Sequence, residues 1–348
     1  MRSLVTVMMV LVLISAAAAI TKVAATLDHR RYEGDVVEEL TYFPSGRFLE
    51  LADLGFGALI ADGMWLRGIQ YYGAHHKSDK AYPLAEHIFS TITDLDPEFI
   101  SAYRFGGIVL SEDVGATGAA IDLLKKGIRS NPGRWELPFD LGFIYFVDCN
   151  DCAKAARYFS LASRMDNPPE ITKRFTAFAF RKAGKTEVAR ALWQQLYDST
   201  GNRVIKDAAA AAIKNIDLDT TVQQLSALVE RFRQNSGRYP AEISDLVRAG
   251  LARRIPEDPF GGSYLIDGET HHVLSTSRVE DEAAKTVESL TKAIERFNRQ
   301  NGRFPASLEE LKSAGLIETV PEVEGARLAY ERSTGKATCN PVWREVVR

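Results

Sequence analysis

Gly237-Arg238-Tyr239-Pro240-Ala241 and, 65 residues later, Gly302-Arg303-Phe304-Pro305-Ala306 mark the centre of a stretch that the chain states twice. Upstream, Thr221-Val222, Leu225 and Glu230-Arg231-Phe232 answer to Thr286-Val287, Leu290 and Glu295-Arg296-Phe297. Downstream, Leu246, Ala249-Gly250-Leu251 and Pro256 answer to Leu311, Ala314-Gly315-Leu316 and Pro321. Charged and hydroxyl residues differ between the copies, while apolar and turn positions match. A duplicated structural unit has this signature and a catalytic site does not. A second, shorter period runs upstream, so the chain reads as repeat-built and binding is favoured over catalysis.

Each copy predicts an amphipathic helix, a turn and a short helix, and the first copy goes on to a pair of strands. Val222, Leu225, Leu228, Val229 and Phe232 form one continuous apolar stripe at helical spacing. Gly237 ends that helix in the left-handed cap that glycine permits. A short helix from Ile243 to Ala249 follows, closed by Gly250. Pro256-Glu257-Asp258-Pro259-Phe260-Gly261 then turns into a strand at Ser263-Tyr264-Leu265-Ile266, with His272-Val273-Leu274 as its partner. These residues resemble the soluble part of type II secretion major pseudopilins, through Gly237–Pro240 and Pro256–Tyr264. The second copy keeps Gly302–Pro305 but has Pro321-Glu322-Val323-Glu324-Gly325 at the later turn, so its sheet is expected to differ. The resemblance implies a fold module used for interaction. It also implies loops able to bind calcium, with Asp258, Asp267 and Glu269 as oxygen donors, against the plainer reading of ordinary turn carboxylates. The pilin helix of that family is absent next to the module, which argues against pilin-like polymerisation.

From about Ala81 to Thr200, helix follows helix. Asp96-Pro97, Asn131-Pro132 and Asn167-Pro168 fall 35 and 36 residues apart, each closing one apolar-periodic run and opening the next. Gly106-Gly107 in one unit corresponds to Gly142 in the next, where two helices must approach closely. Second helices are read at Ala119–Ile128, Ala153–Ala162 and Val188–Leu196. Leu141-Gly142, Tyr145, Ala155, Phe159, Ala162 and Pro168 resemble the tetratricopeptide repeat (TPR), with Leu123, Ile128 and Pro132 in similar places one unit earlier. That resemblance implies an α-solenoid whose groove binds segments of partner proteins. The alanine run from Ala208 to Ala212 reads as the last solenoid helix or a stiff connection. A boundary is expected near residue 217, where Asp217 and Asp219 are placed to cap a new helix at Thr220-Thr221.

Ahead of the repeats, Gly46 to Tyr72 reads as a further helical hairpin rich in aromatic residues. Trp65, Arg67, Tyr71 and Tyr72, with Tyr103 and Tyr145 of the following repeats, are the candidate partner-binding residues, since Trp, Tyr and Arg dominate binding hot spots. The competing reading is that these aromatics cap the first repeat. Cys149 and Cys152 form a CxxC and are a candidate local disulfide if the chain is exported. Haem attachment would need His where Ala153 stands, and no second ligand pair is spaced for zinc. His75-His76 and His271-His272 are adjacent pairs, which do not form the i, i+4 clamp of a helical metal site. No phosphate loop, Gly-x-Ser-x-Gly or His-Glu-x-x-His motif occurs.

The formal net charge of −3 over 348 residues gives no basic footprint for nucleic acid. Arg2 precedes an uncharged, apolar stretch from Ser3 to Thr21, which reads either as a cleaved signal peptide or as an uncleaved membrane anchor. The fold expected is mainly α: an N-terminal hydrophobic helix (1–26), a helical capping segment (27–80), a TPR-like α-solenoid (81–217) and two small α+β modules resembling pseudopilin heads (218–280 and 281–348). The expected function is a non-catalytic cell-envelope scaffold or assembly factor without cofactor or metal. Its partners would be proteins of an envelope or membrane complex, in a secretion, pilus-like or polysaccharide-export machine. It would face the periplasm, anchored or free. A structural subunit of a membrane complex or filament, and an envelope enzyme with an unrecognised site, are the alternatives.

Overall fold

The computed structural model describes residue 22 and residues 55–345, with side chains to residue 343. The expected N-terminal apolar helix and the first part of the capping segment lie outside those residues. Among the described residues no helix is long and apolar enough to cross a membrane. The chain divides into two compact units, Met1–Leu192 and Trp193–Arg348.

The first unit is a succession of helices: α1 (Gly57–Lys77), α2 (Ala85–Leu95), α3 (Ile100–Ile108), a π-helical turn (Val109–Asp113), α4 (Thr117–Ser130), α5 (Glu136–Val147), α6 (Cys152–Ala162) and α7 (Glu170–Lys182). Each packs on the next, and α2 on α4 and α3 on α5 pack as second neighbours. Contact restricted to neighbours is what makes a helical repeat array, and this one is TPR-like. One core cluster runs through it, with Ile88, Phe89, Tyr103, Leu124, Leu141 and Phe159 almost fully enclosed.

Glycine sets the helix spacing. A Cβ on Gly106 would lie 2.8 Å from Leu123 and 2.7 Å from Phe89, and one on Gly142 would lie 2.7 Å from the Phe159 ring. Gly106–Leu123 and Gly142–Phe159 are the same contact shifted by 36 residues, so the repeat read from the sequence is a repeat of packing. Polar contacts cross the array at a similar interval. Arg104 Nε donates to Asp140 at 2.6 Å, Asn131 Nδ2 donates to the Pro97 carbonyl at 2.7 Å, and Ser111 Oγ donates to Asp148. Lys126 pairs with Asp94 and donates to Thr93 Oγ1 at 2.9 Å.

The division between the units falls within α8 (Thr186–Ser199). In the second unit, α9 spans Arg203–Ser236 without interruption. The expected new start near residue 217 is therefore corrected: Asp217 and Asp219 lie mid-helix. No Gly or Pro occurs between residues 203 and 236, and Ile216 and Leu218 are buried, so burial on both sides of the acids carries the helix through. The Thr220 and Thr221 hydroxyls bond back to the carbonyls of Ile216 and Asp217 instead of capping. The cap is Asn202, whose side chain accepts from Val204 N.

Beyond α9 the two copies follow in order: α10 (Asp245–Arg248), β1 (Tyr264–Ile266) and β2 (Val273–Ser275), then α11 (Thr276–Asn301), α12 (Leu308–Ser313), β3 (Ala326–Glu331), β4 (Lys336–Pro341) and α13 (Val342–Glu345). The equivalences hold atom by atom. Gly237 (φ 74°) and Gly302 (φ 68°) end α9 and α11 in the left-handed region. Arg238 lies over the Phe232 ring at 5.9 Å, as Arg303 lies over Phe297 at 5.2 Å. Asp245 accepts from Ala241 N at 2.8 Å, as Glu310 accepts from Ala306 N at 2.5 Å. Leu246 and Leu311 are fully buried in separate cores, one per copy.

The copies differ in their hairpins. β1 and β2 pair antiparallel from Tyr264↔Ser275 to Ile266↔Val273, while β3 and β4 pair from Ala326↔Pro341 to Glu331↔Lys336. No connecting residue separates β2 from α11: Ser275 ends the strand, and its Oγ accepts from Arg278 N at 3.2 Å as the helix cap. Buried Asp258 holds that junction, accepting from Ser275 Oγ at 2.6 Å, Ser277 Oγ at 2.8 Å and Phe260 N at 2.8 Å. In the second copy the corresponding position is Val323.

Candidate functional site

The aromatic residues singled out in the sequence turn mostly inward. Tyr103 is fully buried and its hydroxyl donates to the Thr93 carbonyl at 3.4 Å. Tyr71 is buried, and its hydroxyl oxygen accepts from Leu84 N at 3.1 Å. Tyr145 is buried with its ring stacked 5.3 Å from Tyr158. Burial raises the phenol pKa of Tyr71 and Tyr103, as expected for rings removed from water. Trp65 is half-buried against Phe89, Phe99 and Phe105, with centroids 5.3–6.5 Å away. Tyr72 is also half-buried, stacked on Tyr82 at 5.3 Å, and donates to Asp113 at 3.0 Å. Arg67 stays exposed. The reading of this set as a partner-binding face is corrected for Tyr71, Tyr103 and Tyr145: large rings gain most by burial, and these three join helices within the array.

Cys149 is exposed, Cys152 opens α6, and both are free thiols. Of the carboxylates considered for calcium, Asp258 is committed to Ser275, Ser277 and Phe260 as described. Asp267 accepts from Thr270 N at 2.7 Å and Glu269 N at 3.0 Å, bonds that depress its pKa. Those bonds fit a turn that closes on itself. His75 pairs with Asp79 at 2.7 Å and His272 with Glu324 at 2.7 Å. Among the described residues no group of three or more His, Cys, Asp or Glu is placed to hold a metal ion.

The surface feature that stands out is a groove between α3 with its π-helical turn and α5. It has a cavity of about 200 Å³ lined by Gly107, Ile108, Glu112, Leu124, Phe143 and Val147, with Ser111, Asp140, Ile144 and Asp148 completing it. Ile108 is 47% exposed and Val147 66% exposed, unusual for large apolar side chains beside a packed core. The apolar track continues from Val147 past Phe146 to Phe178 on α7, whose ring lies 5.6 Å from Phe146 and is itself exposed. The charged residues lining the groove are all acids: Glu112, Asp140 and Asp148. Asp140 is neutralised by Arg104, although burial raises its pKa. Asp148 holds Ser111 through one oxygen. Glu112 has no ion-pair partner among the described residues.

Sequence reasoning missed this groove. Its signal was present: Glu112 and Asp148 stand 36 residues apart, as Gly106 and Gly142 do, so both repeats end their first helix on an acid. The π-helical turn that carries Glu112 was not readable. It depends on Val114 N reaching the Val109 carbonyl and Ala116 N reaching that of Leu110, which packing decides.

No family model matches the sequence, and no curated protein matches it. Among solved structures, a thermophilic TPR protein of Thermus thermophilus is similar at 16% identity, over 47% of this chain and 98% of that chain, with a TM-score of 0.30. The TPR-like character of the first unit rests on its own helix order, neighbour packing and 36-residue contacts.

Proposed function

We propose that the chain is a non-catalytic scaffold or assembly factor of the cell envelope. The helical array docks a segment of a partner protein, and the duplicated C-terminal modules contact a second component. The observation that carries the reading is the exposed apolar track from Ile108 through Val147 to Phe178, laid across the first helices of successive repeats. Extended tracks of this kind are how helical repeats present a binding surface. The likeness of Gly237–Pro240 and Pro256–Tyr264 to pseudopilin heads supports a secretion or pilus-like machine, and the apolar stretch from Ser3 to Thr21 supports anchoring or export.

Affinity purification of the tagged full-length protein from gently solubilised membranes, with intact-mass analysis of its N-terminus, tests this reading. A stoichiometric partner set and an uncleaved N-terminus are expected for an anchored scaffold. A cleaved monomer without partners would overturn it and favour an enzyme.

A further inference from the structure

The groove between α3 and α5 has a chemical preference that goes beyond partner docking in general. We infer that it receives one arginine or lysine side chain of a partner protein segment, with an apolar residue beside it on the Val147–Phe178 track. This inference rests on the scaffold reading above and deepens it.

The cavity of about 200 Å³ has room for one long side chain. Its walls are apolar: Leu124, Phe143 and Ile144 inside, Ile108 and Val147 at the mouth. Its charges are carboxylates, and Glu112 and Asp148 are exposed. A side chain with a hydrocarbon stem and a cationic head satisfies both features at once, the stem lying on the walls and the head reaching the acids. The alternatives fail on the same chemistry. An acidic side chain would meet like charge. A leucine would cover the walls but strip water from the carboxylates without replacing its hydrogen bonds. Nucleic acid and anionic lipid carry the wrong sign.

Glu112 and Asp148 keep acceptor capacity for a cation, whereas Asp140 is taken up by Arg104. One oxygen of Asp148 takes the Ser111 hydroxyl, and a carboxylate has further acceptor sites. Asp140 is a positioning residue here: its pair with Arg104 ties α3 to α5 across the two repeats beside the groove.

The test uses the full-length protein and fluorescein-labelled ten-residue peptides, with Gly-Ser flanks around Leu-Arg-Leu, Leu-Glu-Leu or Leu-Leu-Leu, read by fluorescence anisotropy. The Leu-Arg-Leu peptide is expected to bind at least about tenfold more tightly than either other peptide, and to weaken steeply as salt rises, as an exposed ionic contact does. Glu112→Gln is expected to remove about tenfold of the Leu-Arg-Leu affinity with an unchanged circular dichroism spectrum and melting temperature. Val147→Ser, at a site too exposed to disturb the core, should weaken the same peptide. Equal binding of the arginine and glutamate peptides, or unchanged affinity in Glu112→Gln, would overturn the inference. So would a self-associated chain that Glu112→Lys dissociates and no peptide competes. Failure here is separable from failure of the scaffold reading. A partner captured equally by wild type and Glu112→Lys removes only the basic-residue preference, whereas no partner with wild type removes the parent.

Discussion

At the scale of single residues, the array depends on side chains that are missing. Gly142 lets the Phe159 ring lie where a Cβ would sit at 2.7 Å. Gly142→Ala gains about 1 kcal/mol of helix propensity but forces overpacking of about 1–3 kcal/mol. A net loss of about 1 kcal/mol is expected in chemical denaturation. Gly63, inside α1 with nothing within 4 Å of its Cβ position, is the control: Gly63→Ala should stabilise by about 0.5–1 kcal/mol. In the second copy, the Arg303 guanidinium and the Ala306 N–H hold the Glu310 carboxyl down at about 2, against an ordinary 4.5. The folded value lies below the unfolded one, so its contribution is complete above pH 4.5 and is lost as pH falls through about 2. Carboxyl-detected NMR should place the Glu310 titration there, and Arg303→Met should move it up toward the ordinary range. Gly106 and Gly142 were legible in the sequence as points of close approach, because only glycine suits them. The aromatics were not, since Tyr103 and Arg67 look equally surface-competent until burial is known.

At the scale of elements, the punctuation by Pro and Gly was legible and the interior of α9 was not. Asp-Pro and Asn-Pro pairs end α2, α4 and the segment after α6, and Gly237 and Gly302 end α9 and α11, because these residues forbid or permit particular backbone angles. Asp217 and Asp219 do neither. They suit a cap by composition, and only the burial of Ile216 and Leu218 decides for continuity. Proline in mid-helix tests this. Lys214→Pro should cost about 3 kcal/mol or more relative to Lys214→Ala, since it removes a helical hydrogen bond and clashes with the preceding turn. A linker near residue 217 would tolerate both, and equal melting temperatures would return the boundary to that position. The first copy's hairpin was legible to within a residue, with Tyr264–Ile266 and Val273 as expected. The second copy's longer hairpin was foreseen only as a difference, since Val323 replaces the acid that organises the first.

At the scale of the whole molecule, two compact units predict that unfolding departs from a single two-state transition. Scanning calorimetry should show two components. Gly142→Ala should lower only one of them. Leu311→Ala, which empties a fully buried site in the second unit at a cost of about 2–5 kcal/mol, should lower only the other. If both variants move one common peak equally, the units unfold as one. The repeat architecture was readable in the chain because periodic sequence imposes periodic packing. The acidic groove was not: Glu112 and Asp148 recur 36 residues apart in the chain, but the π-helical turn that sets Glu112 at the groove is decided by packing. One consequence lies in the joint between the copies. Ser275 is at once the last residue of a strand and the cap of the next helix, and each residue added there would turn that helix by about 100° about its axis. The rotational phase of the second copy is therefore set by chain length together with the Asp258 bonds to Ser275 and Ser277. Because each copy keeps a core of its own, one residue inserted at this joint would swing the second copy round as a body, its core still closed, and carry Ser277 away from Asp258.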